Sequence, residues 1–170
     1  MLKYFYCDRC NEILTSKVNI MIDSTDPTVF CKHSWFMKCN KCGSDIEEID
    51  RGMAIPVLNL NKVGLKIDNS CEGHFVIDTK INTVYEYHIP YILFNISVEH
   101  NDLNDIINKH PLPEGWDINA DDDNRLRIFY TGADYISDIS LTESIELKEQ
   151  YLYEICMWTY RVLEGSDLIE

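Results

Sequence analysis

The sequence predicts an α+β protein: a small cysteine-rich β unit, followed by a mixed α/β-sheet domain that closes on a long C-terminal helix. Three observations carry this. Two Cys-x-x-Cys pairs sit at the ends of short β-type segments within the first 42 residues. Segments rich in β-branched and aromatic residues then alternate with helical ones, but without the regular period of a βαβ protein. The chain's last periodic stretch starts at a capping signature and is long enough for many helical turns. The cysteine-rich unit takes residues 1–49 and the α+β domain residues 50–170.

Taken in order, "YFYCDRCNEIL" reads as a strand running into a two-cysteine turn, and "SWFMKCNKCGSDIEEI" repeats that plan with glycine after the last cysteine. Between them "SKVNIMIDSTDPTVF" reads as strand, polar loop and strand, turning at Asp26-Pro27. "MAIPVLNLNKVG" suits a helix beginning near Met53 or Ala54, with Pro56 in its first turn and Gly64 as its stop. Strands "LKID", "FVID" and "YHIPYILFNISV" follow, and "NDLNDIINKH" spaces Leu103, Ile106 and Ile107 along one helical face before Pro111. "PLPEGWDINADDD" has the composition of a loop. "RLRIFYT" alternates, with Leu126, Ile128 and Tyr130 on one face and Arg125, Arg127 and Phe129 on the other. Ser140 with Glu143 then opens the final helix, which runs from Leu141 to Leu163 before Gly165. Its apolar positions form two sets. Leu141, Ile145, Leu152, Ile155, Thr159 and Val162 are expected to pack on the core, while Leu147, Tyr151 and Trp158 lie beside them and are read either as more of the same packing or as a surface for a homodimer or other partner.

Apolar residues make up 45% of the 170 and charged residues 26%, an ordinary globular balance that argues against disorder and fibrous repeats. No basic-then-apolar leader follows Met1, and no apolar run approaches the ~18 residues of a membrane span. A cytoplasmic location without membrane contact is the expectation. The formal net charge is -14, yet residues 1–42 carry a net of +2, which leaves -16 for the body. Nucleic-acid affinity comes largely from neutralising phosphates, so a body this acidic disfavours a double-stranded nucleic acid as its partner. A small anionic ligand, held by a few placed arginines, is compatible with it.

Seven cysteines are an odd number, and four of them form the pairs Cys7-x-x-Cys10 and Cys39-x-x-Cys42, separated by 28 residues. Reduced thiols around one ion fit this better than a disulfide framework. Four thiolates in a tetrahedron suit structural Zn²⁺, and such a closed site stabilises without catalysing. The unit resembles zinc ribbons, with "CNKCG" as the second knuckle. An iron centre and a thioredoxin-like redox pair are the alternatives. Cys31 and His33, in "FCKH", share one face of an expected strand. They are read either as a buried thiol with a surface imidazole, or as replacement ligands or a second metal site.

The motif that raises the question of function is "NSCEGHF", residues 69–75. Gly73 permits positive φ or a close backbone approach, and its neighbours' amides can form an anion-binding concavity. Ser70 can cap the turn, and Cys71 with His74 can pair as nucleophile and base or hold one side of a metal. Three readings stay open: a purely structural turn, a ligand pocket formed by Ser70, Cys71, Glu72, Gly73 and His74, and catalysis by Cys71 and His74. Arg125 and Arg127 are candidates for a second wall recognising phosphate or carboxylate. Their bland alternative is pairing with Asp121, Asp122 and Asp123. Neither a G-x-S-x-G nor a phosphate-binding G-x-x-x-x-G-K-[ST] motif occurs.

With its flanks, "LNLNKVGLKIDNSCEGHFVID", "YILFNI" and "PLPEGW", the motif resembles a family of small bacterial and bacteriophage-type proteins. In these a helix ending "LNxxG" leads to a strand, an "SCxGH" turn, a "YIxF" strand and an "LPxGW" loop. The resemblance covers about residues 50–130. The same core is distantly similar to the tRNA wybutosine-synthesis methyltransferase-like family, which carries "SCSGR". There Ser70, Cys71 and Gly73 match, Glu72 stands in place of serine, and His74 replaces a permanent guanidinium with an imidazole mostly neutral at pH 7.

The resemblance implies a bacterial or phage-infected host cell as the setting. It implies a zinc-stabilised, non-enzymatic binding protein of phage or prophage type, which takes a small anionic, nucleotide-like ligand or a host protein. The rival it implies is an RNA-modifying enzyme, with Cys71 and His74 in the chemistry and the ribbon touching RNA.

Overall fold

A computed structural model describes residues 2–17, 37–78, 83–132 and 139–166. The insert expected between the knuckles, with Cys31 and His33, lies outside the described residues.

The fold is α+β. Strands β1 (Leu2–Cys7) and β2 (Glu12–Lys17) form an antiparallel hairpin, and β3 (Met37–Lys38) pairs with β4 (Asp45–Ile49) in a second one. β1 and β4 join the two hairpins edge to edge, giving the order β2-β1-β4-β3. Phe5, Cys7, Cys39 and Ile46 make a small buried cluster of their own at the cysteine end.

From β4 the chain passes through Asp50 and one 3-10 turn, Arg51–Met53, into α1 (Ala54–Lys62), which stops at Gly64 with φ of 87°. Strands β5 (Ile67–Cys71), β8 (Tyr91–Phe94), β9 (Trp116–Ala120) and β10 (Leu126–Tyr130) build a four-stranded antiparallel sheet in the order β5-β8-β10-β9. β6 (His74–Asp78) and β7 (Thr83–His88) pair as a separate hairpin, with the Phe75 and Tyr87 rings stacked at 4.7 Å. Helix α2 (His100–Lys109) buries Leu103. Helix α3 (Leu141–Glu164) begins at the expected capping box, Ser140 accepting from the Glu143 amide and Glu143 accepting from Ser140.

One face of the sheet carries the core. Ile92, Phe94, Leu126, Ile128 and Tyr130 alternate inward and bury against Val57 and Leu60 of α1 and Tyr151, Ile155 and Trp158 of α3. Tyr6 joins the same cluster from β1, so the cysteine-rich unit is packed onto the body.

Three expectations are corrected. Residues 116–120 are strand β9, not loop: pairing with β10 turns Trp116 and Ile118 toward the core and leaves Asp117 at the surface, which alternation supports despite the polar composition. Tyr151 and Trp158 are fully buried, so they offer no partner surface. Their polar tips are satisfied inside, Trp158 Nε1 donating to the His110 carbonyl at 2.7 Å and Tyr151 to that of Glu72 at 2.9 Å. Conversely Ile145, assigned to the core, stands exposed on α3 with Tyr153, Met157 and Tyr160.

Candidate functional site

Each knuckle is a hairpin turn whose second cysteine is followed by a left-handed residue, Asn11 with φ of 49° in the first and Gly43 with φ of 74° in the second. These are residue types that adopt this conformation at low cost. Tyr6 fixes the first knuckle by donating to Asn11 Oδ1 at 2.7 Å, and the Gly43 amide closes the second onto the Cys39 carbonyl at 2.9 Å. Lys41 binds Glu12 at 2.6 Å and so ties one knuckle to the other.

The result is that Cys7, Cys10, Cys39 and Cys42 place their sulfurs within 4.8 Å of one another, with no disulfide among them. Cys7 Sγ lies 3.6 Å from Cys42 Sγ, and Cys10 Sγ 3.9 Å from Cys39 Sγ. A tetrahedron with metal–sulfur bonds of about 2.3 Å has edges of about 3.8 Å, so the donor set fits a four-thiolate ion as it stands. The two outer thiols, Cys10 and Cys42, are half-buried and the two inner ones, Cys7 and Cys39, buried. All four positions of such an ion are filled by protein. This is a candidate metal centre of the kind found in zinc ribbons, and it leaves no position for a reactant.

The "SCEGH" residues separate into distinct environments. Ser70 opposes Ile92 and faces the core, its hydroxyl buried without a hydrogen-bond partner. Cys71 ends β5 on the opposite face. Glu72 turns inward under α3: Gly52 N–H donates to it at 2.8 Å and Lys148 Nζ at 2.7 Å. Burial disfavours its ionised form, but the Lys148 hydrogen bond, the Gly52 amide and the Lys148 charge outweigh that and hold its carboxyl below the usual range. Gly73 has φ of 77°, and a Cβ there would stand 2.7 Å from the Tyr151 hydroxyl. Both reasons require glycine. His74 begins β6 with its ring exposed.

The turn's amides are already engaged. Glu72 N–H donates to Asp50 Oδ2 at 2.9 Å, and Gly73 N–H to Cys71 Sγ at 3.4 Å. What the turn gathers instead is a set of Lewis bases: Asp50, Cys71 and His74 bring one donor atom each within 4.8 Å of the other two. Asp50 was not legible as a member of this set. It stands 21 positions before Cys71, outside any motif the sequence shows.

The two arginines differ. Arg125 is held by Asp121 at 2.7 Å, Asp123 at 3.3 Å and Asp68 at 3.7 Å, so its charge is matched. Arg127 bonds the neutral Asn119 Oδ1 at 3.1 Å and lies 5.0 Å from the Phe129 ring centre. Among the described residues no carboxylate pairs with it. Strand register puts Cys71 beside Tyr91 and Tyr91 beside Phe129 on the face away from the core. Arg127 therefore sits about 10 Å, two strand spacings, from β5 on that same face. A cleft of about 350 Å³ lies elsewhere, between the cysteine-rich unit and the body, lined by Asp8, Asp45, Asp68 and Lys66. Its charge disfavours anions.

No family model matches the chain, and no curated protein or solved structure matches it either. Among the described residues no helix is long and apolar enough to cross a membrane.

Proposed function

We propose that the chain is a zinc-stabilised, non-enzymatic binding protein whose outer sheet face receives a small, planar, anionic ligand of nucleotide type. The four-thiolate centre takes redox-inert, tetrahedral Zn²⁺ and holds the ribbon in place.

The observation that carries the ligand class is the pairing of Arg127 with Phe129, beside Tyr91 on the neighbouring strand. Two half-buried rings offer stacking surface, and an arginine without a carboxylate partner among the described residues offers charge to a phosphate. Stacking a base on an aromatic ring contributes about 1–3 kcal/mol, which amounts to roughly 5- to 150-fold in affinity. The acidic surroundings favour a ligand small enough to meet only this face.

Calorimetric titration of the full chain with nucleoside monophosphates tests this. Saturable binding, weakened at least about tenfold by Arg127→Ala and by Phe129→Ala, is the expected outcome. Absence of binding to every nucleotide overturns it. Affinity only for longer RNA, falling steeply with salt, would instead support the RNA-modifying reading.

A further inference from the structure

We infer that Asp50, Cys71 and His74 form a second metal site, distinct from the four-cysteine centre and open on one side. The three donors come from three elements. Asp50 follows β4, Cys71 is the last residue of β5, and His74 is the first of β6. One ring nitrogen, one carboxylate oxygen and one sulfur fall mutually within 4.8 Å, His74 Nε2 being 3.6 Å from Asp50 Oδ2.

Simpler accounts of the cluster do not explain its shape. An aspartate at a helix start ordinarily accepts a hydrogen bond from its own first turn. Asp50 occupies that position but makes no such bond; its carboxylate is turned across to accept the Glu72 amide. A His–Asp surface pair, with the two side chains 53% and 32% exposed, is weak and gives no reason for a sulfur to face it. A nucleophile–base–orienter relay needs cysteine on one ring nitrogen and aspartate on the other. Here one ring nitrogen lies within 4.8 Å of both the sulfur and the carboxylate oxygen, an arrangement suited to ligands converging on an ion.

The surroundings match what metal ligands require. Cys71 Sγ accepts the Gly73 amide at 3.4 Å, and Asp50 Oδ2 accepts the Glu72 amide at 2.9 Å, so two of the three donors are oriented by backbone hydrogen bonds. The turn itself is clamped from behind by Lys148, Tyr151 and the Gly52 amide. Bonds of about 2.0–2.3 Å bring tetrahedral donors to about 3.3–3.8 Å from each other. Closing from within 4.8 Å to that spacing requires the donors to draw together, and the exposed His74 side chain has room to turn toward the other two. A mixed sulfur, nitrogen and oxygen set suits Zn²⁺ or Co²⁺ over Mg²⁺ and Ca²⁺. Three protein ligands leave the fourth position of a tetrahedral ion to solvent or to an anionic ligand atom.

Titration of the metal-free full chain with Co²⁺ tests the site, followed by absorption and by native mass spectrometry. The wild type should take two ions, the first with the strong sulfur-to-metal bands of a four-thiolate centre and the second more weakly. His74→Ala, at an exposed position, should lose the second ion and keep the first spectrum unchanged, and Asp50→Asn should weaken the second at least tenfold. One ion per wild-type chain, or a second ion retained in His74→Ala, overturns the assignment. Neither readout involves nucleotide, so its failure is separate from failure of the ligand-binding reading.

Discussion

Lys148, two turns into α3, reaches Glu72 Oε1 at 2.7 Å and the Gly73 carbonyl at 2.9 Å, so one ammonium group fastens the glycine turn to the terminal helix. The pair is largely shielded, with about a fifth to a quarter of each side chain exposed. Glu72→Gln should therefore cost about 1.5–3 kcal/mol at pH 7, because it removes a charged acceptor from both Lys148 and Gly52. The sign of the pH dependence follows from the depressed folded-state carboxyl. Its contribution is fully present above the unfolded value of about 4.3 and is lost as pH falls through the folded one. Urea denaturation of both proteins between pH 7 and pH 3 should show the gap closing on the acid side. A gap that is constant with pH would remove the ion pair from the explanation.

Gly73 and Gly64 make a matched pair for testing the turn. Both have positive φ, 77° and 87°, but a Cβ at residue 64 meets nothing within 4 Å, whereas at residue 73 it meets Tyr151 Oη at 2.7 Å and the His88 carbonyl at 3.1 Å. Gly64→Ala should cost about 1–2 kcal/mol, the backbone term alone. Gly73→Ala adds a collision with the Tyr151 hydroxyl and a tight contact with the His88 carbonyl, and should cost at least about 1 kcal/mol more. Denaturation midpoints of the two variants at equal slope measure the difference.

On α3 the inner and outer faces predict opposite responses. Trp158→Phe empties part of a fully buried site and leaves the His110 carbonyl without its donor, an expected loss of about 2–4 kcal/mol. Tyr153 is 66% exposed, and Tyr153→Glu should change stability by no more than about 0.5 kcal/mol. Thermal melts of the two variants check both statements.

The parts of this molecule that were legible in the sequence are those set by neighbours along the chain. The Cys-x-x-Cys knuckles, the Ser140–Glu143 cap, the Gly64 stop and the alternation of residues 126–130 all follow from local geometry, and the α+β class follows from their order. Strand β9 was hidden because its inward Trp116 and Ile118 are separated and followed by Asp and Asn, a composition that signals loops until pairing with β10 is seen. Helix periodicity identifies Ile155, Thr159 and Val162 of α3 as core, but leaves open whether Tyr151 and Trp158 beside them turn inward or outward. That choice is fixed by Tyr151 and Trp158 reaching carbonyls at Glu72 and His110, tens of residues away. The same holds for Asp50, delivered to Cys71 only by the packing of β4 against β5, and for the contrast between Arg125 and Arg127. Partners distant in sequence leave no spacing to read.

Cys7, Cys10, Cys39 and Cys42 are expected to grip one ion that the ribbon needs in order to fold. Amide spectra of the full chain, recorded with its native metal and again after a strong chelator, address this directly. The prediction is tightly held zinc in the purified protein, and loss on chelation of the dispersed signals from Phe5, Cys7, Cys39 and Ile46. Protein that arrives without metal, or spectra that superimpose before and after chelation, would contradict it.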